Sequence, residues 1–169
     1  MDFQELARTR YSCREYRGEP VEEEKLTAVL EAARLAPTAC NRQAFRLYVL
    51  TTAGRQEAIR RLYSRDWLAQ APLLIGIAGD SGGNWVRGDG RNYVDVDCAI
   101  VMDHLILQAT DLGLGTCWIA AFDPDFARKL FDLPAGIEPL AFTPLGYPAD
   151  SPSVKERKPL EKLVRYEHW

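Results

Sequence analysis

Arg10, Ser12 and Arg14 stand at alternate positions near the start of the chain. In extended backbone alternate side chains point to one face, so two guanidinium groups and a hydroxyl can converge on one anion, a donor set that suits a phosphate. Taken alone, the segment is more simply a solvated basic turn. A second group follows at Ala36-Pro37-Thr38-Ala39-Cys40-Asn41-Arg42-Gln43. Its hydroxyl and two amides can both donate and accept, which fits a heterocycle edge carrying carbonyls and ring nitrogens. The plainer alternative is a loop that satisfies its own backbone. A third segment, Gly113-Leu114-Gly115-Thr116-Cys117-Trp118-Ile119-Ala120-Ala121, has the start of a dinucleotide fingerprint. Trp118 occupies the third glycine position and a helix precedes the segment, so a buried strand after a glycine cap is the better reading. The fourth is the basic cluster Lys155-Glu156-Arg157-Lys158-Pro159, which by itself is ordinary solvated surface.

Other chemistries find no support. The glycine-rich stretch Gly79 to Gly90 lacks a Lys-Ser/Thr pair and is not a P-loop. It reads as a mobile surface loop that could line an entrance, and for Trp85, Arg87 and Arg91 a structural or exposed role stands level with a substrate-facing one. Nothing resembles a Ser-His-Asp set. His104 falls within an apolar helix, where a satisfied core or interface role is expected. Cys13, Cys40, Cys98 and Cys117 form no CxxC, and with only two histidines no metal cluster is expected.

The elements that must position these groups follow from periodicity and punctuation. Phe3, Leu6 and Ala7 predict a short helix over residues 2–9. Pro20 and the acids Glu22, Glu23 and Glu24 open a second helix, which carries Leu26, Val29, Leu30 and Ala33 and stops before Pro37. Strands are expected at Phe45 to Leu50, Leu73 to Ala78, Thr116 to Ala121 and Leu140 to Leu145. The run at Leu73 has the continuous apolarity of a strand buried on both faces. Residues 55–63 predict a helix, and Asp123-Pro124 caps another through Leu130. The longest helix, about residues 93–112, is apolar around most of its axis. In a chain this short, that points to a partner subunit covering part of it. Helices and strands do not alternate regularly, so the expected fold is α+β, one domain over residues 1–169, with a central, mainly antiparallel sheet flanked by helices.

Composition narrows the class. A net charge of −3 calls for neither nucleic acid nor an anionic membrane. The start of the chain has no basic-then-apolar leader pattern, and Asp95, Asp97, Asp103 and Asp111 interrupt the most apolar helix, so neither secretion nor a membrane span is expected. A cytoplasmic protein with reduced thiols is the simplest reading.

In order along the chain, Arg-x-Ser-x-Arg, Ala-Pro-Thr-Ala-x-Asn-x-Gln, Gly-Leu-Gly-Thr-x-Trp-Ile, Leu-Gly-Tyr-Pro and Arg-Lys-Pro resemble the nitroreductase family from Arg10 to about Lys162. The resemblance implies a nitroreductase-like fold, an intertwined homodimer and FMN held at its interface. It implies that Arg10, Ser12 and Arg14 hold the FMN phosphate and ribityl chain, with Tyr11 contributing backbone. Arg157, together with Lys155 or Lys158, would reach the same phosphate. Pro37, Thr38, Ala39 and Asn41 would approach the FMN from the other subunit, with Gln43 either structural or near the ring. The backbone of Trp118, Ala120 and Ala121 would pass over the isoalloxazine. Tyr63 and Arg65 are candidates for its pyrimidine edge.

The resemblance further implies a ping-pong reaction: NAD(P)H delivers hydride to the flavin and leaves, and a nitroaromatic, quinone or related small-molecule acceptor takes its place. No catalytic side chain is expected beyond those that bind the flavin. A same-fold flavoenzyme with another reaction (flavin fragmentation, dehalogenation or dehydrogenation) and a non-catalytic FMN-binding protein are the alternatives. Two departures from the family pattern stand out. Ala44-Phe45 replaces a Pro-Trp pair, and Ala121 replaces a glycine.

Overall fold

A computed structural model describes residues 1–152 and 155–168. The chain opens with helix α1 (Phe3–Thr9), capped by the Asp2 carboxylate, which accepts the Glu5 N–H at 2.9 Å. Helix α2 (Glu23–Arg34) follows, with acids in its first turn and an arginine in its last, as the helix dipole favours. Strand β1 (Phe45–Thr51), helix α3 (Gln56–Leu62), strand β2 (Leu73–Asp80), helix α4 (Val94–Asp111), helix α5 (Pro124–Leu130) and strand β3 (Ile137–Leu145) complete the order. The three strands form one antiparallel sheet, β1-β2-β3.

β2 is the central strand and is buried on both faces. Ile75 and Ile77 meet α2 and α4 on one side, with Val29, Ala33, Val101, Met102 and Leu105. Leu74 faces the other side, against Ile59 and Leu62 of α3, Ala127 of α5 and Phe142 of β3. Each such Leu, Ile or Val contributes about 1.5–3 kcal/mol on leaving water, so the fully apolar β2 run is what joins the two layers of helices. Gly76 belongs to this packing: a Cβ there would sit 2.0 Å from the Tyr48 ring, which meets Phe131 at a tilt and Phe142 edge-on.

α4 buries the face formed by Val94, Asp97, Cys98, Val101, Met102, Leu105, Ile106 and Ala109. Within one chain its opposite face is not covered. Val96 and Ala99 are exposed and Ile100 and Leu107 are half-buried. The helix stops in a Schellman motif: Gly113, at φ 76°, donates to Thr110 O at 3.0 Å, and Leu114 donates to Ala109 O at 2.8 Å. The left-handed residue explains why glycine follows the helix.

The strand expected over Thr116 to Ala121 is not a continuous strand. The segment makes isolated bridges to three partners: Ser12 to Thr116 in parallel, and Gly146 to Gly115 and Phe142 to Ile119 in antiparallel. Between them the Cys117 N–H donates to the Thr143 hydroxyl at 3.1 Å and not to a backbone carbonyl. Its hydrogen bonds are shared between the N-terminal segment and β3, which keeps the ladder from running. The expected 79–92 loop also begins later, because β2 continues to Asp80. The Asp80 carboxylate accepts the Gly82 and Gly83 N–H groups, both at 3.0 Å.

Candidate functional site

The N-terminal basic segment is built into the molecule from three directions. On one side the Cys13 N–H donates to Thr116 O at 2.8 Å. The approach is close because residue 115 is glycine; a Cβ there would lie 2.7 Å from Cys13 Sγ. On a second side the chain after β3 returns alongside residues 15–17. Arg17 N–H donates to Tyr147 O and Ala149 N–H to Glu15 O, each at 2.9 Å, around a Tyr16–Pro148 bridge. This pairing delivers Asp150 beneath the segment. Its Oδ2 accepts the Arg14 N–H at 2.8 Å, and its Oδ1 accepts the Tyr11 hydroxyl at 2.8 Å and the Cys13 thiol at 3.2 Å. Burial pulls the Asp150 carboxyl upward, but these donors outweigh it and hold it below its ordinary value. Burial also pushes the Cys13 thiol up to about 11 and raises the Tyr11 phenol.

The third side is the C-terminal tail. Lys155 Nζ donates to Arg8 O at 2.6 Å and to Arg10 O, closing the C-terminal end of α1. Burial lowers the Lys155 ammonium, and the nearby Arg10 and Arg157 charges lower it further. The Arg10 and Arg14 charges and the Ser12 hydroxyl also act on the Cys117 thiol, which burial raises and they draw back down. Arg10 and Arg14 therefore lie within electrostatic reach of Cys117, as Asp150 does, and Arg10 and Arg157 lie within reach of Lys155. Among the described residues none of these four cations is in an ion pair. Arg14 Nη1 reaches only Ser12 O at 3.4 Å, and Arg157 Nη1 only Glu156 O at 2.9 Å. Cations gathered outside ion pairs favour an anion arriving from outside. Lys158 is exposed.

The second segment is organised locally. Thr38 Oγ1 accepts the Gln43 N–H at 3.0 Å, and the Gln43 amide donates to Asn41 O and Oδ1 at 3.3 and 3.2 Å. Pro37 is exposed, as are the Asn41 and Gln43 side chains. Cys40, Asn41 and Gln43 all have positive φ, at 50°, 53° and 51°. Non-glycine residues pay for such backbone with about 1 kcal/mol or more each, so something must hold them. Buried Asp97 in the first turn of α4 accepts the Ala39 N–H on both oxygens, at 3.0 and 3.1 Å. No hydrogen bond or ion pair joins this loop to the Arg10–Arg14 segment among the described residues.

In the third segment Ile119 is buried while Trp118, Ala120 and Ala121 face outward, Trp118 with 43% of its surface exposed. Trp118 and Ala120 line a pocket of about 200 Å³ shared with Ile77, Asp95, Cys98 and Leu140. Burial pushes the Cys98 thiol up to about 12, with Asp95 and Asp97 adding to the shift, so it is a neutral wall and not a nucleophile.

Tyr63 packs toward the α3–α5 core and meets Trp67 edge-on at 5.8 Å, while Arg65 is exposed. His104 Nδ1 lies 2.9 Å from Ile100 O, a local bond within α4. The 81–93 stretch is folded on itself: Val86 and Asn92 form a bridge, Trp85 meets Tyr93, and Arg87 holds Asp89 and the Tyr93 hydroxyl. Sequence reasoning missed Asp150 and Asp97 as organisers, and Asp95 and Cys98 as pocket walls. For Asp97 a signal existed, an acid in the first turn of an otherwise apolar helix.

Comparison with known proteins adds a second line. The nitroreductase family model matches residues 7–64 and 53–147. A solved nitroreductase family protein from Clostridium difficile 630 is 43% identical, covers 100% of both chains and superposes with a TM-score of 0.90. The NADH dehydrogenase of Thermus thermophilus is 27% identical, over 97% of this chain and 95% of its own. The FMN reductase [NAD(P)H] of Bacillus subtilis is 28% identical, over 94% of this chain and 70% of its own. The matched span includes the Arg10–Arg14 segment, the 37–43 loop and the Trp118–Ala121 edge, and with the fold agreeing end to end, the chain belongs to the nitroreductase family.

Proposed function

We propose that the protein is an FMN-dependent oxidoreductase that takes reducing equivalents from NAD(P)H and passes them to a small-molecule acceptor of the nitroaromatic or quinone class. The observation that carries this reading is the patch of four cations outside any ion pair among the described residues, tied by Lys155 to Arg10 O and by Cys13 N–H to Thr116 O, beside the outward-facing Trp118–Ala121 edge. A phosphate dianion suits that patch, and an aromatic ring system suits that edge. Bound FMN supplies the hydride and electron chemistry. The chain's own residues bind and orient it. Arg10, Ser12 and Arg14, the Tyr11 backbone, and Arg157 with Lys155 or Lys158 would hold the phosphate and ribityl chain. The backbone at Trp118, Ala120 and Ala121 would face the ring.

A homodimer belongs to the same reading. The open side of α4, with Val96, Ala99, Ile100 and His104 flanked by Asp95 and Asp103, is a mainly apolar face that a second copy would cover. The loop at Pro37, Thr38, Ala39, Asn41 and Gln43 points its amides outward and would serve the FMN of the other copy. The relatives named for FMN reduction and NADH dehydrogenation support the flavin and nucleotide parts of the reading.

The test is an absorbance spectrum of purified, FMN-reconstituted protein before and after anaerobic NADH or NADPH, followed by a quinone. Bleaching of the flavin band and its recovery on adding quinone are expected. A flavin that is retained but resists both nucleotides would leave a binding protein, and absence of flavin binding would overturn the reading.

A further inference from the structure

We propose that Asp150 is the positioning residue of the cation patch, holding the Arg10–Arg14 segment from behind so that its charged side chains remain free for a phosphate. The proposal rests on the phosphate reading above and deepens it. Period-two geometry divides the segment in two. Tyr11 gives Asp150 its hydroxyl hydrogen, and the Cys13 thiol turns toward it, sharing its one hydrogen between Asp150 Oδ1 and Glu15 O, each at 3.2 Å. The side chains of Arg10, Ser12 and Arg14 make no hydrogen bond to Asp150 among the described residues. Asp150 therefore reads the face of the segment that the anion does not.

The way Asp150 engages Arg14 is the decisive detail. A carboxylate beside an arginine ordinarily takes the guanidinium, often with two bonds. Here Asp150 takes the Arg14 backbone N–H at 2.8 Å and leaves the guanidinium without a carboxylate. Its charge is spent on three neutral donors, two of them on its Oδ1. A negative group placed near an anion site repels the anion, so a carboxylate here needs a compensating role. Fixing the direction of residues 11, 13 and 14 at once is such a role. The Tyr16–Pro148 bridge and the flanking backbone bonds set the register that brings Asp150 to this point.

The experiment compares FMN with riboflavin, which lacks the phosphate, as ligands of the apo-protein, by quenching of flavin fluorescence. Asp150→Asn keeps one oxygen for Tyr11 and Cys13 and loses the acceptor for Arg14 N–H. The expected result is about a tenfold loss of FMN affinity, equal to about 1.4 kcal/mol, with riboflavin affinity unchanged within about twofold. The ³¹P resonance of bound FMN should also move, because the cations around it are redirected. Equal weakening of both flavins with an unmoved resonance would mean a merely structural role and overturn the proposal. Stronger FMN binding in the variant would also overturn it, since the carboxylate would then act only by repulsion. If the unaltered protein prefers FMN over riboflavin and Asp150→Asn keeps that preference, the positioning role fails and the phosphate reading stands. If the unaltered protein shows no preference for FMN, the phosphate reading itself fails.

Discussion

The Arg10–Arg14 segment and the 37–43 loop are both polar, both close to a helix end and both candidate cofactor contacts, yet the molecule holds them by opposite means. The first is fixed by groups far away in sequence: Thr116, Asp150 and Lys155. Its backbone is tied down at Arg10, Cys13 and Arg14, and its two arginines are outside any ion pair among the described residues. The second is fixed mainly by its own side chains, Thr38 to Gln43 and Gln43 to Asn41, with a single distant anchor at Asp97. A segment that must present charge is braced from behind. A loop that must present amides closes on itself and relies on backbone strain held at one point.

The comparison can be broken most decisively at the first segment. Replacing Arg10 and Arg14 together by alanine should weaken FMN binding at least about a hundredfold, from two charge-assisted contacts of about 1.5–3 kcal/mol each. A fluorescence titration reads this directly, and stoichiometric flavin retained by the double variant would refute the assignment. Next in size is the anchor of the second. Asp97→Ala strands the Ala39 N–H and should cost about 1–3 kcal/mol in urea unfolding, whereas Asp97→Asn, keeping one acceptor, should cost less. An unchanged midpoint in the alanine variant would show that the loop stands on its internal bonds alone. The smallest effect concerns Cys40. It is exposed while Cys13, Cys98 and Cys117 are buried, so one thiol of four should react quickly with a maleimide in the native protein, leaving the melting temperature unchanged. Fast labelling at Cys13 would mean that the braced segment opens.

Much of the scaffold was legible from local rules. The cap at Asp123, the glycine after α4 and the doubly buried β2 each rest on a residue type whose physics is local. The order of five short motifs along the chain carried the family. The Thr116–Ala121 strand was misjudged because apolarity shows that a segment is buried but not how many partners divide its hydrogen bonds. Asp150 was illegible for a related reason. A lone aspartate after Tyr-Pro-Ala has no periodicity, and only the register of residues 15–17 against 147–149 reveals what it meets. Asp95 and Asp97 were visible as charges on an apolar helix, but one lines a pocket and the other anchors a loop.

Helix α1 buries none of its residues. Apolar packing therefore does little to locate it, and the Lys155 ammonium on its last carbonyls becomes a mooring. The two ends of the chain thus behave as one mechanical part, although 145 positions separate Arg10 from Lys155. For anyone building on this protein, a fusion, deletion or cleavage site placed after Asp150 is not remote from the N-terminal arginines. It is an edit to the post that keeps them in place.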